Sequence, residues 1–182
     1  MSLTEAIQNL KDQIKAENIN PHDGLGTELF LFTSTLTPII NIDLFITNEQ
    51  GQFLTTWRED QWYGSGWHLP GGCVRFKETF IERAHRTSID ELGGDVEVNP
   101  AHLLLTEHID DGNLDTDSET AVREHFMSIL FGCRVLNPEK LRNVDGKQIK
   151  DHVCWFDRIP ENLLPAQNFY REYIEKWLSE HR

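Results

Sequence analysis

The sequence predicts an α+β fold, a mixed αβα sandwich in which a mixed β-sheet lies between helices. Three observations carry this. Strand-like apolar runs lie on both sides of one strong helix at residues 78–92. Helical patterns close both ends of the chain. There is no internal repeat, and 182 residues suffice for one domain with a hydrophobic core.

Taken in order, residues 2–17 read as a helix, because Leu3, Ile7, Leu10 and Ile14 recur on one face. Residues 18–26 carry Pro21, Gly24 and Gly26 and read as a linker. The expected division is therefore a helical extension and linker at 1–26, then the main domain at 27–182. Residues 38–47 read as a strand, 48–51 as a turn and 52–58 as the returning strand. Residues 62–72 hold Gly64, Gly66, Gly71 and Gly72 and read as a loop. The 78–92 helix stops at Gly93-Gly94. Strands are expected at 103–109, 124–136 and 152–157, and an amphipathic helix at 166–181.

Composition narrows the function. The formal net charge of -13 argues against a broad nucleic-acid surface, which needs a basic field. No apolar stretch reaches the roughly 20 residues that span a bilayer, and residues 1–16 lack the apolar core of a signal peptide. Cys73, Cys133 and Cys154 have no metal-like spacing and read as reduced thiols of a cytoplasmic protein. An acidic chain that binds an anionic ligand needs a divalent cation and local arginines.

The chemistry concentrates in residues 71–94, GGCVRFKETFIERAHRTSIDELGG. Positions 87, 90 and 91 share one helix face, and carboxylates there suit a hard cation such as Mg²⁺. Such a cation takes phosphate oxygens and neutralises leaving-group charge. An ordinary amphipathic helix with solvated acids is the bland alternative.

Gly72, Glu78, Arg86, Glu91 and Gly93 match the spacing of the Nudix box, and Asp90 replaces one glutamate conservatively. With Pro70-Gly71-Gly72 before the box and His152 to Asp157 after it, residues 38–160 resemble a Nudix hydrolase. The resemblance implies a Nudix fold and divalent metal, Mg²⁺ or alternatively Mn²⁺. It implies metal ligation by the Gly71 carbonyl, Asp90, Glu91 and Glu124, and a bracing pair between Glu78 and Arg86.

Position 87 is Thr where the box has Glu, and position 88 is Ser where it has an aliphatic residue. In this the chain resembles the GDP-mannose mannosyl hydrolases, which lack that Glu and cleave at the sugar carbon. Further matches are Asp43 in the first core strand, Arg58 ending the second, His108 after Glu107, and Glu124-His125. The resemblance implies His125 as general base, since an imidazole titrates near ~6.5. A solvated strand histidine is the alternative. Mg²⁺, Arg58 and Arg86 are expected to share the leaving-group charge. Asp43, Arg58, Arg75 and His108 are expected to bind substrate, Asp43 having a cap or strand-edge role as its alternative. Cys73 stands where that subfamily has arginine, and Arg75 lies two residues on.

Residues 111–122 resemble a calcium loop but fail at Thr116 and Val122, where Gly and Glu are required. The expected activity is hydrolysis of a nucleotide-sugar. Attack at phosphorus and a non-catalytic nucleotide-sugar sensor are the competing readings. The stripe on the first helix points to a homodimer.

Overall fold

The computed structural model describes residues 1–109 and 125–181. Glu124 and the acidic segment 110–123 lie outside them. The elements run α1 (Leu3–Ala16), α2 (Thr27–Ser34), β1 (Ile39–Ile46), β2 (Phe53–Asp60), β3 (Gly64–His68), β4 (Gly71–Cys73), α3 (Phe80–Leu92), β5 (Val96–Ile109), β6 (His125–Val135), β7 (Val153–Phe156) and α4 (Arg171–Glu180). One sheet has the order β4-β1-β6-β5 and the other β3-β2-β7. β1 and β6 are parallel, and the other pairings are antiparallel.

β1 organises the interior. Its β-branched residues favour an extended backbone, and alternation sends successive side chains to opposite faces. Ile42, Leu44 and Ile46 pack with Ala84 and Leu92 of α3. Phe45 packs with Leu130 and with Ile174 and Leu178 of α4. Each fully buried aliphatic side chain contributes about 1.5–3 kcal/mol of transfer free energy. The four-stranded sheet thus lies between α3 and α4, the sandwich expected from sequence.

The structure differs locally from these expectations, and β5 starts at Val96 rather than near 103. Residues 62–72 are not a loop but carry β3 and β4. Their glycines permit close approach: a Cβ at Gly66 would stand 2.7 Å from the Asn162 carbonyl oxygen, and one at Gly71 would run into Asp43. α2 lacks amphipathic period, so pattern alone does not announce it. The C-terminal helix opens as a 3-10 turn at Pro165–Tyr170 before α4. Among the described residues no helix is long and apolar enough to cross a membrane.

α3 is set by its ends. Thr79 and Glu82 form a capping box at the start. Gly93 ends it at φ +77°, a left-handed conformation. Its last turn contains no basic residue, although Asp90 and Glu91 sit there against the negative end of the helix dipole. Arg142 partly offsets this by donating from Nη2 to the Ile89 and Asp90 carbonyls at 3.2 and 2.5 Å. A Cβ at Gly93 would stand 2.6 Å from Arg142 Nε. Gly93→Ala is therefore expected to cost about 1–2 kcal/mol in urea unfolding. Adding Arg142→Ala should recover the steric part. A loss near zero would show that this turn is not constrained.

Candidate active site

The site forms where β4, the sheet edge, meets the last turn of α3. Leu44 donates to the Pro70 carbonyl and Val74 donates to that of Ile40. Ladder alternation then turns the N–H and C=O of Gly71 away from β1. The Gly71 N–H donates to Glu91 Oε1 at 3.2 Å, and the Thr56 hydroxyl donates to Glu91 Oε2 at 3.1 Å. Burial pushes the Glu91 carboxyl up to about 7, against those two hydrogen bonds and the field of Arg58.

Thr56 also lies 3.1 Å from Nδ1 of buried His68. With its proton given to Glu91, Thr56 can only accept from that ring, which places a proton on Nδ1. Burial, then the charge of Arg58, holds His68 down at about 3, so the ring is neutral. Asp43, in an internal strand and 2% exposed, accepts a 2.6 Å bond from Tyr170 Oη. Burial raises it to about 6. This corrects the strand-edge alternative for Asp43. Gln167 holds the β3–β4 connection by accepting from the Leu69 N–H and donating to its carbonyl.

The structure brings Gly71, Glu91, Asp43 and Arg58 to one locality. Asp43, Arg58, His68 and Gly71 line a common cleft, and Arg58 acts electrostatically on both carboxylates. Arg58 also pairs with Asp60 and lies over the Tyr63 ring, 4.5 Å from its centre. Arg75, Asp90 and Glu91 line a second cavity that shares Gly71. Asp90 is outermost, with Arg83 Nη2 3.7 Å away. Arg86 Nε lies 3.3 Å from Glu78 Oε1, while Glu78 Oε2 accepts from the Arg75 N–H at 2.9 Å. That arrangement braces the loop before α3.

The two histidines part company. His108 packs against Phe126 and Phe169, which line the Asp43 cleft. His125 sits one residue before Phe126, so it faces the other side of the sheet, the side that carries α3. There its Nε2 is 3.3 Å from Glu107 Oε1. The structure does not bring His125 into contact with Asp43, Arg58 or Glu91. Thr56 and His68 were missed in the sequence. Thr56 was accessible, because it precedes Arg58 by two residues on a strand and shares its face.

Oxygen donors predominate here, which suits a hard cation. Glu91 is a carboxylate raised by burial, and the Gly71 carbonyl is not used by the β1 ladder. These two fit such an ion. Among the described residues no group of three or more His, Cys, Asp or Glu is placed to hold a metal.

Together these features define a Nudix-type hydrolase architecture: a glycine-edged strand, a capped helix with acids in its last turn, and a braced loop between them. The sequence model of the NUDIX domain matches residues 37–177, and the chain belongs to that family. It is 32% identical over 141 residues to the low-salt glycan biosynthesis protein Agl8 of Haloferax volcanii, covering 78% of this chain and 80% of that protein. It is similar in fold to the MutT protein of Methanosarcina mazei Go1, with TM-score 0.56 and 22% identity over 80% of this chain and 97% of that one. A UDP-X diphosphatase structure is similar with TM-score 0.55 and 16% identity, covering 97% of this chain and 79% of that one.

The raised Glu91 pKa sets a pH dependence. Its folded value, about 7, exceeds the ordinary 4.5. The folded state therefore binds the extra proton, and this contribution is present below about 4.5 and lost as pH rises through 7. In EDTA, Glu91→Gln should flatten the fall of unfolding free energy between pH 5 and 7 by about 1.4 kcal/mol per pH unit. An unchanged slope in the variant would contradict the assignment.

Proposed function

We propose that the protein is a cytoplasmic, divalent-metal-dependent hydrolase of a nucleoside-diphosphate sugar of the GDP-mannose kind, releasing the nucleoside diphosphate and the free sugar. The observation that carries this reading is Thr87. Where the family's box has a carboxylate, this chain has a hydroxyl that is 2% exposed and has no hydrogen-bond partner among the described residues. A Cβ at Gly72 would stand 2.7 Å from its Oγ1. Thr87 therefore supplies neither a base nor a charged ligand. A box without that acid favours one cation over several and a base from elsewhere in the fold.

The Gly71 carbonyl, Glu91 and Glu124, with Asp90 nearby, would hold Mg²⁺ or Mn²⁺. When bound, the ion supplies charge neutralisation for the leaving diphosphate. Arg58 and Arg86 add positive charge and Arg75 is the further phosphate contact, while His108, packed on Phe126 and Phe169, lies on the face opposite His125. His125 is the proposed base, with Glu107 holding one ring nitrogen and the other left to take a proton. Water oxygen bonds to the sugar carbon, the bond from that carbon to the diphosphate oxygen breaks, and the water proton passes to His125. The substrate must then reach the α3 side of β6. The glycan-biosynthesis name of the 32% identical relative supports a sugar-bearing substrate.

Reaction in ¹⁸O-water should label the free sugar and leave the nucleoside diphosphate unlabelled. Label in a nucleoside monophosphate or sugar phosphate would mean attack at phosphorus, and no turnover with Mg²⁺ would mean a sensor. His125→Ala should lower turnover by ~10²–10⁴ with affinity changed much less. A drop under about threefold would remove His125 from the chemistry.

The same reading includes a homodimer. α1 buries no residue, and Leu3 and Ile7 are 77% and 45% exposed on its apolar stripe. Sedimentation at micromolar concentration should give twice 21.1 kDa. A monomer would end that part of the proposal.

A further inference from the structure

The N-terminal segment is built into the site. Arg86, braced on Glu78, also donates through Nη1 to the His22 carbonyl at 3.1 Å. Gly24 lies against the Arg75 guanidinium, at 3.9 Å from where its Cβ would be. Residues 24–27 and part of α2 then form one wall of a cavity of about 780 Å³. Gly71, Gly72, Thr87, Asp90 and Glu91 line the same cavity. The volume is in the range of small-ligand sites, roughly 300–1,000 Å³.

The lining is divided chemically. Leu25, Phe30, Leu31, Trp62 and Phe76 present apolar and aromatic surface, and Arg75 and Arg83 line the same cavity. Flat apolar faces beside a cationic group suit an uncharged aromatic ring joined to a phosphate. A free sugar would instead call for many hydrogen-bonding groups. We propose that this cavity holds the nucleobase of the substrate and that the N-terminal segment sets nucleotide specificity. This rests on the reading that the substrate is a nucleoside diphosphate derivative. The base lies against α2, the diphosphate is directed toward Gly71 and Glu91, and Arg86 keeps the segment in register with the box by its bond to His22.

Binding of GDP, UDP, ADP and inorganic pyrophosphate, each with Mg²⁺, tests this by calorimetry. Phe76 is 63% exposed, so Phe76→Ala leaves the core intact. It should weaken the tightest-binding of the three nucleotides roughly tenfold, the loss of one stacked or apolar face. Leu31→Trp should fill the cavity and block the nucleotide more strongly. Pyrophosphate, which has no base, should stay within about twofold of wild type in both variants. Unchanged nucleotide affinity in both variants, or a parallel loss of pyrophosphate, would overturn the subsite. So would binding of pyrophosphate with none of the three nucleotides bound. Wild-type nucleotide-sugar turnover alongside unchanged nucleotide affinity would remove the subsite and keep the proposed function. Nucleotide binding that follows the variants in a protein without turnover would do the reverse.

Discussion

The carboxylate of Glu91 is the interaction on which the site depends. It accepts from the Gly71 N–H in the four-stranded sheet and from the Thr56 hydroxyl in the three-stranded one. One side chain thereby joins both sheets to the last turn of α3. Its position is costly: it is drawn into the protein, at the negative end of a helix dipole. Two hydrogen bonds, the field of Arg58 and the Arg142 cap on neighbouring carbonyls offset part of that cost. The remainder shows in the upward pKa shift. A divalent ion at this point would remove the remainder and hold the carboxylate ionised.

Around that anchor the fold divides its labour by strand face. The Asp43 side of the four-stranded sheet carries Asn41, Ser128, Phe126 and the C-terminal Tyr170 and Phe169. The α3 side carries the box, Thr87 and His125. β4 is the seam between them, because the backbone groups of Gly71 turn away from β1 and its glycines admit side chains from both sides. Tyr170 and Gln167 show that the C-terminal 3-10 turn belongs to the site as much as the box does. Its removal would free both the Asp43 carboxylate and the Leu69 backbone.

The sequence made α3 and β1 legible because their periods are strong and their ends are marked. The resemblance to the box also paired Glu78 with Arg86, although Glu78 lies just before α3. β3 and β4 were not legible. Four glycines within nine residues resemble a loop, and only the partners waiting at Asn162 and Asp43 make them strands. α2 escaped because its apolar residues follow no helical period and its cap is glycine. Among site residues, Gly71 and Glu91 followed from the box. His68 did not, because its neighbours Thr56 and Arg58 come from another strand. His125 was placed by its neighbour Glu124 in sequence, which does not fix the face of the sheet on which it lies.

The central claim is that Glu91 anchors a single divalent ion at the meeting point of the two sheets. Titration with Mn²⁺, followed by electron paramagnetic resonance of the free ion, measures this directly. One tight ion per chain is expected, with affinity lowered at least about tenfold in Glu91→Gln, as the loss of a ligand requires. Undiminished binding in Glu91→Gln would contradict it, and so would several equivalent tight ions in the unaltered chain.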